Sequence, residues 1–179
     1  MGVFGRIGLV HAALGVPAKQ QAELLAKAGK YDRQMVNRAV EGRLRIVMAA
    51  RTGSSESREF SLLARKRLAE LGRIGELELE LEAIEVERAT DLAPRLHAGD
   101  VAIAYLSTGL RSHVAALADQ LGGRSVLTVA AAPEYVELGA VLGFDLVNGS
   151  PSLLVNLRRA RSQRVEFHAS FLKLASIIE

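Results

Sequence analysis

The chain has 179 residues, enough to bury one ordinary core. It is 49% apolar and 24% charged, as soluble globular proteins are, with aromatics at only 4% and no Trp. A net charge of +3 without a basic stripe is not the footprint of a nucleic-acid binder, and zero cysteine excludes disulfides, thiol nucleophiles and cysteine-held metals.

Residues 1–18 admit two readings. Arg6 precedes an apolar run from Ile7 to Val16, and Val16-Pro17-Ala18 satisfies the small-residue rule of a secretory cleavage site. The same stretch suits an N-terminal arm packed on the α/β domain expected over residues 19–179. It is too short to span a bilayer. From Pro17 to Val40, the spacing of Leu24, Ala28, Tyr31, Met35 and Ala39 predicts one helix with a single apolar face. Pro17 suits its first turn, and Gly42 stops it.

Leu44–Ala50 is a nearly unbroken apolar run, the pattern of a strand buried on both faces of a parallel sheet. A loop, Arg51–Ser57, leads into a helix carrying Phe60, Leu63, Leu68 and Leu71, with Ser57 placed to cap it and Gly72 and Gly75 to end it. Glu76–Val86 alternates Glu with an apolar residue and then changes phase at Ile84, which predicts a half-exposed strand with a bulge. A short helix (Ala89–His97), a buried strand (Asp100–Leu106), a helix (Leu110–Leu121) and another strand (Val126–Ala130) follow. Asn148-Gly149 is the strongest hairpin signal, between strands at Val141–Val147 and Ser152–Asn156. Phe167, Phe171, Leu174 and Ile178 recur at helical spacing and predict a closing helix. The fold class is therefore a three-layer, Rossmann-like α/β sheet, mostly parallel, with an antiparallel edge hairpin and a C-terminal helix.

Ligands of such sheets bind beyond the carboxyl ends of the strands. Two loops there look alike: Arg51-Thr52-Gly53-Ser54-Ser55 and Ser107-Thr108-Gly109. Each brings hydroxyls and a glycine to a helix start, where a small anion could sit with Arg51 as counter-charge. Helix capping and turn formation explain the same residues. Neither loop is a Walker A loop or a G-x-G-x-x-G fingerprint. A phosphoacceptor receiver is excluded because the first strand ends in Ala-Ala-Arg, Asp100 begins the third strand, and no Lys follows Val126–Ala130.

His11, His97, His113 and His168 have no partner at metal spacing. Glu76, Glu78, Glu80 and Glu82 share one strand face with no partner type nearby in sequence, so they read as solvated. Ser54, Ser55 and Ser107 lack a nucleophile elbow. No cofactor, metal site or catalytic set is expected. Arg158, Arg159, Arg161 and Arg164 form the one dense basic cluster, either a solvated helix face or a docking patch for an acidic partner or anionic lipid.

Three segments, Ser125–Phe144, Ser152–Arg161 and Ala169–Ile178, resemble the signature of the YfiR-like family. SLLVNLRRAR is similar to its Ile-Asn-Leu-x-x-Ala-Arg, and ASFLKLASII to its closing Ser-x-Leu-Leu-x-Leu-Ala. KAGKYDRQM (Lys27–Met35) resembles the start of its domain. The chain departs from the family at Ala98-Gly99-Asp100, where a Cys-His pair is common, and lacks the Trp-Pro pair after the first helix. The resemblance implies a non-enzymatic, periplasmic regulator or sensor, dimeric, that restrains a membrane-anchored signalling protein such as a diguanylate cyclase. A cytoplasmic location is the alternative. The other functional expectation is a protein that binds a small anion or metabolite through the two Ser/Thr-Gly loops.

The hairpin is expected at a sheet edge. Leu153, Leu154 and Val155 do not alternate, so both faces of their strand need a cover. A symmetric homodimer using this edge or the N-terminal helix is the expected assembly.

Overall fold

Leu44–Ala50 becomes the middle of the sheet, as its unbroken apolar character requires. Strand β1 (Arg43–Arg51) pairs in parallel with β3 (Leu77–Val86) on one side and β4 (Ile103–Leu106) on the other. The computed structural model describes residues 15–179. The signal-like segment lies outside those residues as far as Leu14.

Eight strands form one sheet in the order β2-β3-β1-β4-β5-β6-β7-β8. The remaining strands are β2 (Arg73–Ile74), β5 (Leu127–Ala130), β6 (Leu142–Val147), β7 (Ser150–Asn156) and β8 (Ala175–Ile178). Helices α1 (Ala18–Gly29) and α3 (Ser55–Leu71) cover one face; α4 (Ala89–His97), α5 (Arg111–Gln120) and α6 (Glu134–Leu138) cover the other. Side-chain alternation along β1 serves both layers: Leu44, Ile46 and Met48 enter the α1/α3 core, and Val47 and Ala49 the α4/α5 core. The mostly parallel, three-layer architecture matches the sequence expectation.

The long first helix does not form. Helix α1 stops at Gly29, and only Met35–Arg38 (α2) is helical beyond it. A side chain at position 29 would meet Ile74 Cγ2 at 2.9 Å, so glycine lets β2 approach. Beyond it, the backbone turns to pair with the C-terminal segment: Arg33 N–H donates to Glu166 O at 2.8 Å and His168 N–H to Tyr31 O at 2.9 Å. Tyr31 is thereby left 40% exposed instead of on the apolar stripe.

Strand β3 has no bulge. Its register with β1 runs unbroken from Arg43↔Glu78 to Arg51↔Val86. The phase change has another cause. The odd face (Leu77, Leu79, Leu81) is covered at its start by the α1/α3 layer, and the even face at its end (Ile84, Val86) by the α4/α5 layer. The apolar residues follow the cover.

The Asn148-Gly149 turn spans two residues, with Val147 paired to Ser150. Both turn residues have positive φ, 52° and 76°, as a type I′ turn demands. The hairpin, however, is not at the edge. Strand β8 pairs in parallel with β7, where a closing helix was expected. Helix α7 (Leu157–Ser162) is capped by Asn156, and only Ala169–Leu172 (α8) is helical afterwards. Arg164 at φ 50° and the pairing of residues 166–168 with 31–33 break any continuous helix. Phe167 and Phe171 do reach the core, with ring centroids 4.8 Å apart, but Leu174 is 73% exposed. Leu153 and Leu154 pack on opposite cores, so this chain itself covers both faces of β7.

Candidate functional site

From β1 the crossovers run one way to β3 and the other way, through β4, to β5. The switch point therefore lies between the carboxyl ends of β1 and β4, where open α/β sheets bind ligands. Both loops singled out in the sequence meet there. Ser54, not Ser57, caps α3: its Oγ accepts from Ser57 N–H at 3.2 Å. Ser57 is buried and joins the two loops instead. Its Oγ accepts from Arg51 N–H at 2.8 Å and donates to Thr108 O at 2.5 Å, while its carbonyl accepts from Ser107 Oγ at 2.8 Å. Arg51 Nη1 donates to Gly109 O at 3.2 Å.

This wiring sorts the expected site residues. Ser107 is fully buried, and its hydroxyl is spent on Ser57. Arg51, Thr52 and Ser55 face solvent, and Ser54 is half-buried at the cap. Thr108 differs from all of these. Its Oγ1 is shut off from solvent and has no hydrogen-bond partner among the described residues. A buried hydroxyl in that state costs about 1–3 kcal/mol.

Thr108 lies on the wall of a cavity of about 510 Å³ lined by Val16, Phe60, Leu63, Ala131, Pro133 and Glu134, among others. A buried polar chain supports the cavity from below. Tyr105 O–H donates to Gln21 Oε1 at 2.7 Å, and Gln21 Nε2 donates to Val16 O at 2.9 Å and Ala131 O at 2.8 Å. Burial pushes the Tyr105 phenol up, so it stays neutral and serves as a strut. Sequence reasoning missed both residues. Their signal was positional: Gln21 falls on the buried face of α1 with Ala18, Ala22 and Leu25, where a polar residue needs a partner. On the other face, Tyr135 Oη accepts from Leu110 N–H at 2.8 Å, and burial raises its phenol too.

The opposite, amino end of the sheet is built of charge. Glu80 and Glu82 are not solvated bystanders. Arg45 binds Glu80 at 2.7 Å and also Asp100; Arg95 binds Glu82 and Asp100, each at 2.7 Å. Hydrogen bonds from Arg95 hold the Glu82 and Asp100 carboxyls below their ordinary range. Asp32 and Arg38 form a fully buried ion pair. Asp32 Oδ1 accepts from Gln34 N–H at 3.0 Å and Glu166 N–H at 3.2 Å, and Arg38 also reaches Ser125 Oγ and Arg164 O.

Of the basic cluster, Arg159 is drawn to Asp119 at 2.9 Å. Arg158, Arg161 and Arg164 remain exposed and form no ion pair among the described residues. The described residues contain no His/Cys/Asp/Glu group able to hold a metal, and no helix long and apolar enough to cross a membrane.

Three solved structures share this fold. The ABC domain from Streptococcus pneumonia, determined in complex with L-Trp, superposes with a TM-score of 0.66 at 12% identity, over 91% of this chain and 62% of that one. A conserved domain protein from Vibrio cholerae gives 0.63 at 14% identity, over 91% and 60%. The ligand-free, open substrate-binding protein with adhesive properties from Clostridium difficile gives 0.62 at 13% identity, over 92% and 60%. The chain thus spans about three-fifths of the length of each of these structures. No curated protein matches the chain. The family model described as YfiR/HmsC-like matches residues 35–176, and the chain belongs to that family.

Proposed function

We propose that this YfiR/HmsC-like chain is a non-enzymatic regulator that works in the periplasm by contact with a membrane-anchored signalling protein, a diguanylate cyclase being the first candidate. The observation that carries the reading is the family match over residues 35–176. The unpaired guanidiniums of Arg158, Arg161 and Arg164 supply a docking surface for an acidic partner. The regulator acts as a homodimer. Its test is cross-linking in cells of the native host followed by fractionation. The expected result is recovery from the periplasm bound to a membrane signalling protein. Recovery from the cytoplasm alone, with no membrane protein attached, overturns it.

A second reading has its own support. The cavity between α1, α3 and the carboxyl ends of β4 and β5 and the unpartnered Thr108 Oγ1 suit a small ligand with an apolar body and one hydrogen-bonding group. The chain would then sense that ligand and pass its occupancy to the partner. Thermal shift with pools of anions, amino acids and aromatic metabolites tests this. A ligand at 100 times its Kd stabilises by about 2.7 kcal/mol, or roughly 5–10 °C in Tm for a chain of this size. No shift from any pool removes the sensing role.

A further inference from the structure

The two edges of the sheet are not alike, and one is open over most of a long strand. Strand β2 covers β3 only at Arg73↔Glu78 and Ile74↔Leu77. Beyond that point the direction of each peptide group decides what is free. Glu78 N–H donates to Gly42 O, and Val86 O accepts from Thr52 N–H, so the even residues of β3 turn their backbone toward β1. Leu79 N–H turns outward and is taken by Gly72 O at 3.0 Å. The next outward residues are Leu81, Ala83 and Glu85. Their N–H and C=O groups have no partner among the described residues.

Alongside this edge runs a groove floored by Leu81 and Ala83 and walled by Leu62, Arg65 and Ala69 of α3. Leu62 is 52% exposed there. Arg65 and Lys66 flank Leu81 and form no ion pair among the described residues. A long, unprotected edge strand with apolar side chains beside it is a template for another strand.

We infer that the edge is occupied by the same strand of a second copy, paired antiparallel about a two-fold axis at Ala83. The inference rests on the homodimeric reading above and assigns its surface. Three observations favour this occupant. The first is hydrogen bonding. A dyad at Ala83 pairs Ala83 with Ala83 of the second copy, and Leu81 with Glu85 of the second copy. The free outward groups then satisfy one another with none left over. The second is the side-chain pairing. On the even face Glu82 lies opposite Ile84 of the second copy and Glu80 opposite Val86, so no carboxylate directly faces a carboxylate. Glu80 and Glu82 are already ion-paired with Arg45 and Arg95, which Asp100 shares. The third is charge. Glu85 of the second copy, held in its own chain only by an exposed pair with Arg58 at 3.4 Å, arrives over Leu81, between the unpaired Arg65 and Lys66. The smallest side chain of the strand sits on the axis, where the two α3 helices must also pass each other.

The absence of cysteine makes the test direct. Facing residues of a hydrogen-bonded antiparallel pair have Cα atoms about 5.5 Å apart, with their Cβ atoms too wide for a direct disulfide but within reach of a short bismaleimide. Ala83→Cys, at an exposed position, is expected to form a covalent dimer almost completely with a short bismaleimide at micromolar concentration. Ser176→Cys on the opposite edge strand is expected to stay uncross-linked. Light scattering of the wild-type chain is expected to give twice the monomer mass, and Ala83→Pro, which removes an outward N–H and no bond to β1, to give the monomer. A monomeric mass for the wild type up to 100 times the concentration used for cross-linking overturns both the homodimer and this interface. A wild-type dimer in which Ala83→Cys does not cross-link, or in which Ser176→Cys cross-links instead, overturns the interface and leaves the homodimer standing. Loss of the membrane partner in cells overturns neither.

Discussion

The two ends of the parallel sheet are held together by different physics. At the amino end, charge does the work: Asp32–Arg38 is buried, and Arg45 and Arg95 bind Glu80, Glu82 and Asp100. At the carboxyl end, neutral groups do it: Ser57 joins two loops, and Tyr105–Gln21 ties α1 to the end of β5. The difference has a consequence for function. In the ion network every arginine and carboxylate has a partner. Neutral hydroxyls and amides beside a cavity can leave one bond unmade, as Thr108 does. The amino end therefore clamps the fold, and the carboxyl end is free to change.

The comparison breaks most sharply at Arg38. Removing one partner of a buried pair leaves the other charged and unpaired, a loss of about 3–5 kcal/mol. Arg38→Ala is expected to lose that much in urea unfolding. Asp32→Asn with Arg38→Met keeps the Oδ1 acceptor and removes both charges, so it is expected to cost less than Arg38→Ala alone. A loss below about 1 kcal/mol for Arg38→Ala would falsify the clamp, since it would fall in the range of exposed pairs.

At the carboxyl end the largest effect belongs to Val16. It is 1% exposed, and its carbonyl accepts from Gln21 Nε2. Burying a valine is worth about 1.5–3 kcal/mol, and an orphaned amide donor adds to its loss. A chain beginning at Lys19 is therefore expected to be about 2–4 kcal/mol less stable than one beginning at Gly15. The measurement bears on processing as well. Cleavage after Ala18 would remove the Val16 carbonyl from Gln21 and the cavity wall formed by residues 15–18. Equal stability of the two chains would mean that Val16 packs without contributing.

Much of this arrangement was legible. The apolar runs at Leu44–Ala50 and Asp100–Leu106 read as buried strands, and the two hydroxyl-glycine loops after them as candidate ligand loops; that β1 and β4 are neighbours, which brings the loops together, came from the structure. The Asn148-Gly149 turn was equally plain. What stayed hidden has physical reasons. Residues Phe167, Phe171, Leu174 and Ile178 have helical spacing, yet only the first two are buried; β8 is four residues long, too short to show a period of its own. The ion network was unreadable because Arg45 lies 35 residues from Glu80 and Arg95 lies 13 from Glu82. Alternating glutamates look the same whether water or arginine faces them. Asp32 and Arg38 were not singled out in the sequence because their burial depends on Glu166, Ser125 and Arg164, all brought in by tertiary structure.

Acid should separate the two ends more gently. Arg95 holds the Glu82 and Asp100 carboxyls below their ordinary range, so their contribution is present above the unfolded values near pH 4 and is lost as pH falls through the folded ones. The side chains are 37% and 32% exposed, which limits the effect to about 1 kcal/mol. Arg95→Gln is expected to be less stable than wild type by that amount at pH 7, with the gap narrowing as pH falls below about 4. A gap that stays constant down to the acid transition would mean that Arg95 acts through packing alone.

The smallest expected change is at Thr108, and it is the most telling for the carboxyl end. Ser57→Ala leaves Arg51 N–H and Thr108 O without their partner and is expected to cost about 1–3 kcal/mol. Thr108→Val, one position from Ser107 on the same loop, removes a hydroxyl that has no partner. Replacing it by a methyl of the same shape gives up no bond and ends the desolvation of an unsatisfied group, so stability is expected to stay the same or rise by up to about 1 kcal/mol. The two variants alter hydroxyls of the same joined loops and predict opposite signs, because one hydroxyl is spent on the fold and the other is not. Urea unfolding of both, without added ligand, makes the measurement. If Thr108→Val falls as far as Ser57→Ala, the Thr108 hydroxyl is part of the scaffold, and the cavity beside it has no bonding group to offer. If it rises and also abolishes a thermal shift found with the wild type, Thr108 is the group that the ligand completes.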